Sequence, residues 1–309
     1  MQLAPIPPDL AAFGNSPERI IAAIAARGQA LRTACGAGQL AWHSWGQGRP
    51  LVLLHGGYGS WMHWLRNVLP LADAGRRVLA VDLPGLGASA DAPLPHTAES
   101  LAAIVIDGIE ALIGPDAPLD LVGFSFGGVL GGHVAAGLGR RLGWFVVVGS
   151  GGMGLPRAPI APLLSWRRAG DAEARRSIHR ENLAILMLAD AGAIDPVAVH
   201  VQQLNAEQGR VRSPEISRTD TLRRALPRVQ GRLAGIWGEQ DCLARGMLES
   251  RAAVLREADP SAPFHVIPRA GHWVAYEAAD AFNATLLGLL AGDAATSPLQ
   301  SPAAIGVLS

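Results

Sequence analysis

Leu119-Asp120-Leu121-Val122-Gly123-Phe124-Ser125-Phe126-Gly127-Gly128 is the stretch on which the reading of this 309-residue chain turns. Its apolar first half predicts a buried strand, and the small and apolar residues from Phe126 onward predict the start of a helix. Between them lies G-x-S-x-G. A sharp strand-to-helix turn strains the serine backbone, and glycine at 123 and 127 lets neighbouring chain approach closely enough for the hydroxyl to stand clear of the sheet. Ser125 is therefore a candidate nucleophile. Because the chain holds 37 glycines, the five-residue pattern gains its weight from the flanking strand and helix and from partners further along.

Those partners follow other apolar runs. Arg232-Leu233-Ala234-Gly235-Ile236-Trp237-Gly238-Glu239-Gln240-Asp241 reads as a buried strand ending in a polar loop, where a sheet presents side chains at its carboxyl edge. Asp241 is the candidate acid, with Glu239 as a rival two residues away. The short run Pro263 to Pro268 leads into Arg269-Ala270-Gly271-His272-Trp273, so His272 follows the next strand on the same edge and is the candidate base. Upstream, the strand Pro50 to Leu54 opens into His55-Gly56-Gly57-Tyr58-Gly59-Ser60, whose glycines free backbone N–H groups for a developing oxyanion. The N–H groups of Gly57 and Phe126 are the candidate oxyanion hole, and His55 is expected to order this loop.

Taken in the chain order Ser125, Asp241, His272, and with Asp82-Leu83-Pro84-Gly85-Leu86-Gly87-Ala88-Ser89 as a further turn motif, residues 36–292 resemble the α/β-hydrolase superfamily. The resemblance implies an α/β fold, a mostly parallel sheet flanked by helices with an inserted helical cap, and a Ser-His-Asp triad needing no cofactor. It also favours Asp241, which completes that family's G-x-x-D loop. A serine nucleophile separates the chain from the aspartate-based dehalogenase and epoxide hydrolase branches. Gly271 to Glu277 together with His55-Gly56-Gly57 is similar to the meta-cleavage product hydrolases, which split carbon–carbon bonds in ring-fission products. The chain departs from them at Phe124, where they have asparagine, and Arg210 and Arg212 are candidates for their cap arginine. The expected reaction is hydrolysis of a small, apolar carboxylic ester through an acyl-enzyme. Carbon–carbon bond hydrolysis and a non-catalytic ligand-binding relative are the alternatives. Trp61, Phe124 and Trp273 are candidate walls of the substrate pocket.

Composition narrows the partners. With 26 acidic and 26 basic residues, all of the latter arginine, the chain offers no electrostatic footprint for nucleic acid or an anionic membrane. A small-molecule substrate is expected, no membrane span or secretory signal is read, and a cytoplasmic location follows as the default. The oligomeric state is not legible. Nine histidines fall singly, without H-x-x-x-H spacing, so no metal site is expected. Cys35 and Cys242 read as two free thiols. Residues 1–35 are expected to form an extension with one helix, capped at Ser16 and running to about Leu31. The core then covers 36–150 and 227–292, opening with a hairpin of Leu40–Trp45 and Pro50–Leu54 across Gly46-Gln47-Gly48. Residues 151–226 break the strand–helix rhythm and are expected to form the helical cap, and 293–309 a flexible tail.

Overall fold

A computed structural model describes residues 16–292; the expected tail at 293–309 lies outside them. The first described helix, α1 (Pro17–Ala26), starts with proline in its first turn and buries Ile20 and Ile24. It stops earlier than expected. A Cβ at Gly28 would lie 2.7 Å from the Ser44 carbonyl and against the Trp45 ring, so the chain is pressed onto the sheet there and continues as strand β1 (Gln29–Cys35). Residues 29–35 thus belong to the core and not to an extension.

Strands β2 (Gly38–Trp45), β3 (Arg49–Leu54), β4 (Arg76–Val81), β5 (Leu119–Phe124), β6 (Leu142–Val148), β7 (Arg232–Gly238) and β8 (Phe264–Ile267) complete one sheet of order β1-β2-β4-β3-β5-β6-β7-β8. Pairing is parallel from β4 through β8, and β2 runs antiparallel to both its neighbours. The hairpin is β1–β2, closed where Cys35 faces Gly38, whereas β2 and β3 do not pair because β4 lies between them. A three-residue glycine-rich turn suits a hairpin and an edge-crossing equally well, so Gly46-Gln47-Gly48 did not distinguish them. The central strands read as continuous apolar runs because both faces are covered: Leu51 to Leu54 and Phe145 to Val148 are wholly buried.

Helices α2 (Val68–Asp73), α3 (Ala98–Ile113), α4 (Phe126–Leu138), α9 (Leu248–Ala258), α10 (Val274–Glu277) and α11 (Ala279–Ala291) flank the sheet. Between β6 and β7 the described residues contain no strand. They form α5 (Ala172–Leu186), α6 (Pro196–Gln208), α7 (Ser213–Ser217) and α8 (Thr221–Ala225). This helical insertion is packed into the core rather than perched on it: Leu183, Leu188, Ile194 and Val201 share one apolar cluster with Trp64, Phe124 and Tyr276, and Val211 and Leu222 join Val129 and Leu130 on the other face of the sheet.

Candidate functional site

Ser125 sits between the end of β5 and the start of α4 with φ 50° and ψ −112°, left-handed backbone that a non-glycine residue adopts only under strain from its surroundings. Two glycines make the turn possible. A Cβ at Gly123 would lie 2.5 Å from the Gly127 carbonyl oxygen, and one at Gly127 would lie 2.5 Å from that of His55, so a side chain at either place would force the turn open. The Ser125 N–H donates to the Val148 carbonyl at 2.8 Å, which fastens the turn to the neighbouring strand end.

Three separated loops meet here. His272 Nε2 lies 3.0 Å from Ser125 Oγ, and His272 Nδ1 lies 2.9 Å from Asp241 Oδ2. The second carboxylate oxygen of Asp241 accepts the Leu243 N–H at 2.9 Å, leaving Oδ2 for the ring. A carboxylate at Nδ1 selects the tautomer with its proton there, so Nε2 is the lone-pair nitrogen facing the serine hydroxyl. Glu239 does something else: it accepts the Arg269 N–H at 2.9 Å in an exposed position.

Two buried imidazoles hold the glycine loop after β3. His55 Nε2 accepts the Leu83 N–H at 2.9 Å, so Nδ1 carries the hydrogen and donates to the Gly56 carbonyl at 2.7 Å. Burial drops the pKa of His55 to about 4. His63 Nδ1 accepts the Gly56 N–H at 3.2 Å, and its pKa lies well below the usual histidine value through burial and then the neighbouring His55 and His272 rings. Neutral histidines therefore grip Gly56 by both its amide groups, beside Gly57. A Cβ at Gly57 would come within 2.9 Å of Ser213 Cβ, so the insertion presses on this loop. The Phe126 N–H is the first of α4, one of the donors that helix hydrogen bonding leaves free.

A cavity of about 570 Å³ opens above Ser125 and His272, walled by Gly56, Gly57, Phe124 and Phe126 from the core and by Ile160, Leu163, Met187 and Ser213 from the insertion. Of the three expected pocket aromatics only Phe124 lines it. Trp61 packs between His43 and Trp45, with ring centroids 4.7 and 5.3 Å away, and Trp273 stacks on Tyr276 at 4.2 Å while donating its indole N–H to the His63 carbonyl at 2.8 Å. Both are core residues; bulk and apolarity alone do not tell a pocket wall from a filled interior. Arg210 and Arg212 also lie elsewhere, the first bonded to Asp91 and the second exposed beside Glu215. The arginines that line the cavity are Arg157, Arg218 and Arg251. Sequence reasoning missed them because isolated arginines in a proline-rich loop and in helical segments carry no pattern. Cys242 donates to the Leu186 carbonyl at 3.1 Å, and burial followed by the Asp241 charge pushes its thiol up to about 12, which makes it a poor nucleophile. Among the described residues no three His, Cys, Asp or Glu side chains are grouped to hold a metal ion, and no helix is long and apolar enough to cross a membrane.

A family profile described as the alpha/beta hydrolase family matches residues 51–285. The chain is an alpha/beta hydrolase. Among the curated relatives of this hydrolase, the 2-hydroxy-6-oxo-6-phenylhexa-2,4-dienoate hydrolase of Burkholderia cepacia is 28% identical over 264 residues, covering 80% of this chain and 89% of that protein. A 2-hydroxy-6-oxononadienedioate/2-hydroxy-6-oxononatrienedioate hydrolase of Comamonas testosteroni is 29% identical over 262 residues, with the same coverage of 80% and 89%. Among solved structures, a carboxylesterase from Bacillus subtilis superposes with a TM-score of 0.71 at 17% identity, covering 92% of this chain and 98% of that one. A meta-cleavage product hydrolase from Pseudomonas fluorescens IP01 gives 0.67 at 20% identity, covering 85% and 98%. At these identities the structures speak for the fold.

Proposed function

We propose that this hydrolase cleaves a small carboxylic ester through an acyl-enzyme formed on Ser125. The observation that carries the reading is the unbroken line Asp241–His272–Ser125, 2.9 and 3.0 Å per step, opening onto a cavity with apolar walls at Phe124, Phe126, Leu155 and Met187. A serine hydroxyl is a poor nucleophile at neutral pH, so attack requires His272 Nε2 to take the Oγ proton as the bond to the acyl carbon forms. Asp241 keeps the ring in the required tautomer and stabilises the imidazolium. The N–H groups of Gly57 and Phe126 receive the oxyanion, each donor contributing about 10²- to 10³-fold in rate. His272 then protonates the leaving alcohol, and a water deprotonated by the same nitrogen releases the acid. Turnover of p-nitrophenyl esters of graded chain length tests this, alongside labelling by a fluorophosphonate. Stoichiometric labelling that vanishes in Ser125→Ala supports the reading, and an unlabelled wild-type protein, as expected of a non-catalytic binding relative, refutes it.

A second reading, hydrolysis of a carbon–carbon bond in an acid-bearing ring-fission product, is favoured by one feature of the cavity. Arg157, Arg218 and Arg251 line it, and among the described residues no carboxylate lies within salt-bridge distance of any of them. Arg157 is bonded to the carbonyl and hydroxyl of Ser217, and the buried Arg251 only to the carbonyls of Met247, Pro156 and Leu243. Arg157 and Arg251 feel the Asp241 charge without a direct ion pair to it, so positive charge is left facing the cavity and suits a substrate carboxylate, and the curated relatives are named for dienoate and dienedioate substrates. A vinylogous diketone acid assayed beside the esters separates the two readings.

A further inference from the structure

Against the His272 loop, and outside the cavity lining, lies a buried acid that the reaction itself does not use. Glu277, the last residue of α10, is 1% exposed, and among the described residues no cation forms a salt bridge with it. Its carboxylate is held by backbone alone. Oε1 accepts the Asp190 N–H at 2.6 Å, and Oε2 accepts those of Gly271 at 2.6 Å and Ala189 at 3.2 Å. The first and third donors belong to the insertion, just after α5; the second is the residue before His272. A parallel strap runs beside them, the Trp273 N–H donating to the Met187 carbonyl at 2.8 Å. The two segments touch so closely that a Cβ at Gly271 would lie 2.8 Å from the Ala189 nitrogen and 3.0 Å from the Met187 oxygen.

Removing a carboxylate from water is unfavourable unless hydrogen bonds replace the hydration, and three convergent N–H groups supply that replacement. A nonpolar side chain would fill the space at less cost, so what the acid contributes is a fixed geometry between two stretches of chain. We propose that Glu277 is a positioning residue: it clamps residues 187–190 of the insertion to the His272 loop, so that the seating of the insertion sets the aim of His272 Nε2 at Ser125 Oγ. This rests on His272 acting as the base. The clamp explains why Gly271 precedes the histidine, since any side chain there would separate the segments, and it gives the insertion a role in proton transfer besides its role as a wall of the cavity.

Glu277→Gln is the test, because the amide keeps the shape but has only one acceptor oxygen, and its NH2 group must then face a backbone N–H. Phosphonylation of Ser125 by a short-chain alkyl fluorophosphonate, with loss of fluoride, depends on the serine and its base while using little of the acyl pocket. In Glu277→Gln, kcat for p-nitrophenyl acetate and the phosphonylation rate are expected to fall together by about 10- to 100-fold with KM within about threefold, the pattern of a displaced catalytic group. The low-field proton resonance of the His272–Asp241 hydrogen bond is expected to broaden. Ile20→Ala, in α1 far from the site, serves as a control of comparable lost stability and is expected to leave all three unchanged. If Glu277→Gln does not fold, Glu277→Asp keeps the charge but draws the carboxylate back by one methylene from the three N–H groups, and a fall of about 3- to 10-fold in the same two rates is expected. A folded variant that phosphonylates within about twofold of wild type, or an equal loss in Ile20→Ala, overturns the clamp. A wild-type protein that does not react at all overturns the assignment of His272 first and the clamp with it.

Discussion

Replacing Asp241 by asparagine changes one atom and is expected to remove nearly all activity. The present carboxylate divides its work: Oδ1 accepts the Leu243 N–H and Oδ2 faces His272 Nδ1, both at 2.9 Å. An asparagine keeps the first bond only by turning its NH2 group toward the ring. Nδ1 must then be the acceptor, the ring hydrogen moves to Nε2, and Nε2 points a hydrogen at Ser125 Oγ across 3.0 Å instead of a lone pair. A base already protonated on its working nitrogen cannot accept the serine proton. The equivalent tautomer error in a serine protease costs about 10⁴ in kcat, or about 5 kcal/mol of transition-state stabilisation. Since Asp241 is 1% exposed and the substitution is isosteric, the fold is expected to persist, as circular dichroism and thermal melting will show. The assay is kcat/KM for p-nitrophenyl butyrate beside Glu239→Gln, whose carboxylate accepts the Arg269 N–H and no other hydrogen bond among the described residues. That control is expected to stay within about threefold of wild type, in line with an exposed group away from the reacting atoms. A folded Asp241→Asn protein of near-normal activity, or a larger loss in Glu239→Gln, refutes the reasoning.

His55, neutral when folded with a pKa of about 4 against 6.5 when exposed, binds its proton first in the unfolded chain; stability is therefore whole above pH 6.5 and is lost as the pH falls toward 4, by about 3 kcal/mol from this residue. Denaturant melts of His55→Gln and wild type across that range are expected to differ in slope by one proton, with His43 and the other shared groups cancelling in the comparison; parallel curves contradict it. Arg157→Gln is expected to cut kcat/KM for a half-ester carrying a free carboxylate by about 10- to 100-fold while neutral esters change little, the scale of one hydrogen bond to a charged group; equal losses on both substrates show that the arginine is structural. Trp61→Ala is expected to cost about 3–5 kcal/mol of stability, as for other buried tryptophans, and to leave the ratio of acetate to octanoate ester hydrolysis where it was. A shifted ratio restores Trp61 to the pocket.

The position of the candidate site was legible because its residues are tied to strand ends. Ser125, Asp241 and His272 each follow an apolar run in a parallel sheet, and parallel strands bring their carboxyl ends to one edge whatever separates them in sequence. The strand at Gln29–Cys35 was not legible: Gln-Ala-Leu-Arg-Thr-Ala-Cys mixes polar, small and apolar residues without a period of two, and an edge strand paired on one side needs no strong apolar run. Trp61 and Trp273 were misplaced because facing the cavity or the interior is decided by neighbours such as Trp45 and Tyr276, contacts that form only on folding. Arg157 and Glu277 escaped for the same reason, since each is defined by backbone groups from distant segments.

Residues 151–165 cross the mouth of the cavity without a helix or strand, carrying Arg157, Ile160 and Leu163, and leave Leu163 and Leu164 about half in contact with solvent. Gly151, Gly152, Met153 and Gly154 are fixed by close contacts, positive φ or burial, but few side chains of 155–165 are buried, so substitutions there disturb little packing, whereas each strand residue beneath Ser125 is fixed by neighbours on both faces. Selection on substrate range therefore has one inexpensive place to act. Homologues that diverge in this stretch while keeping the sheet are expected to differ in what they cleave before they differ in how they cleave it, and a library confined to residues 155–165 samples specificity while leaving the packed start of the segment intact.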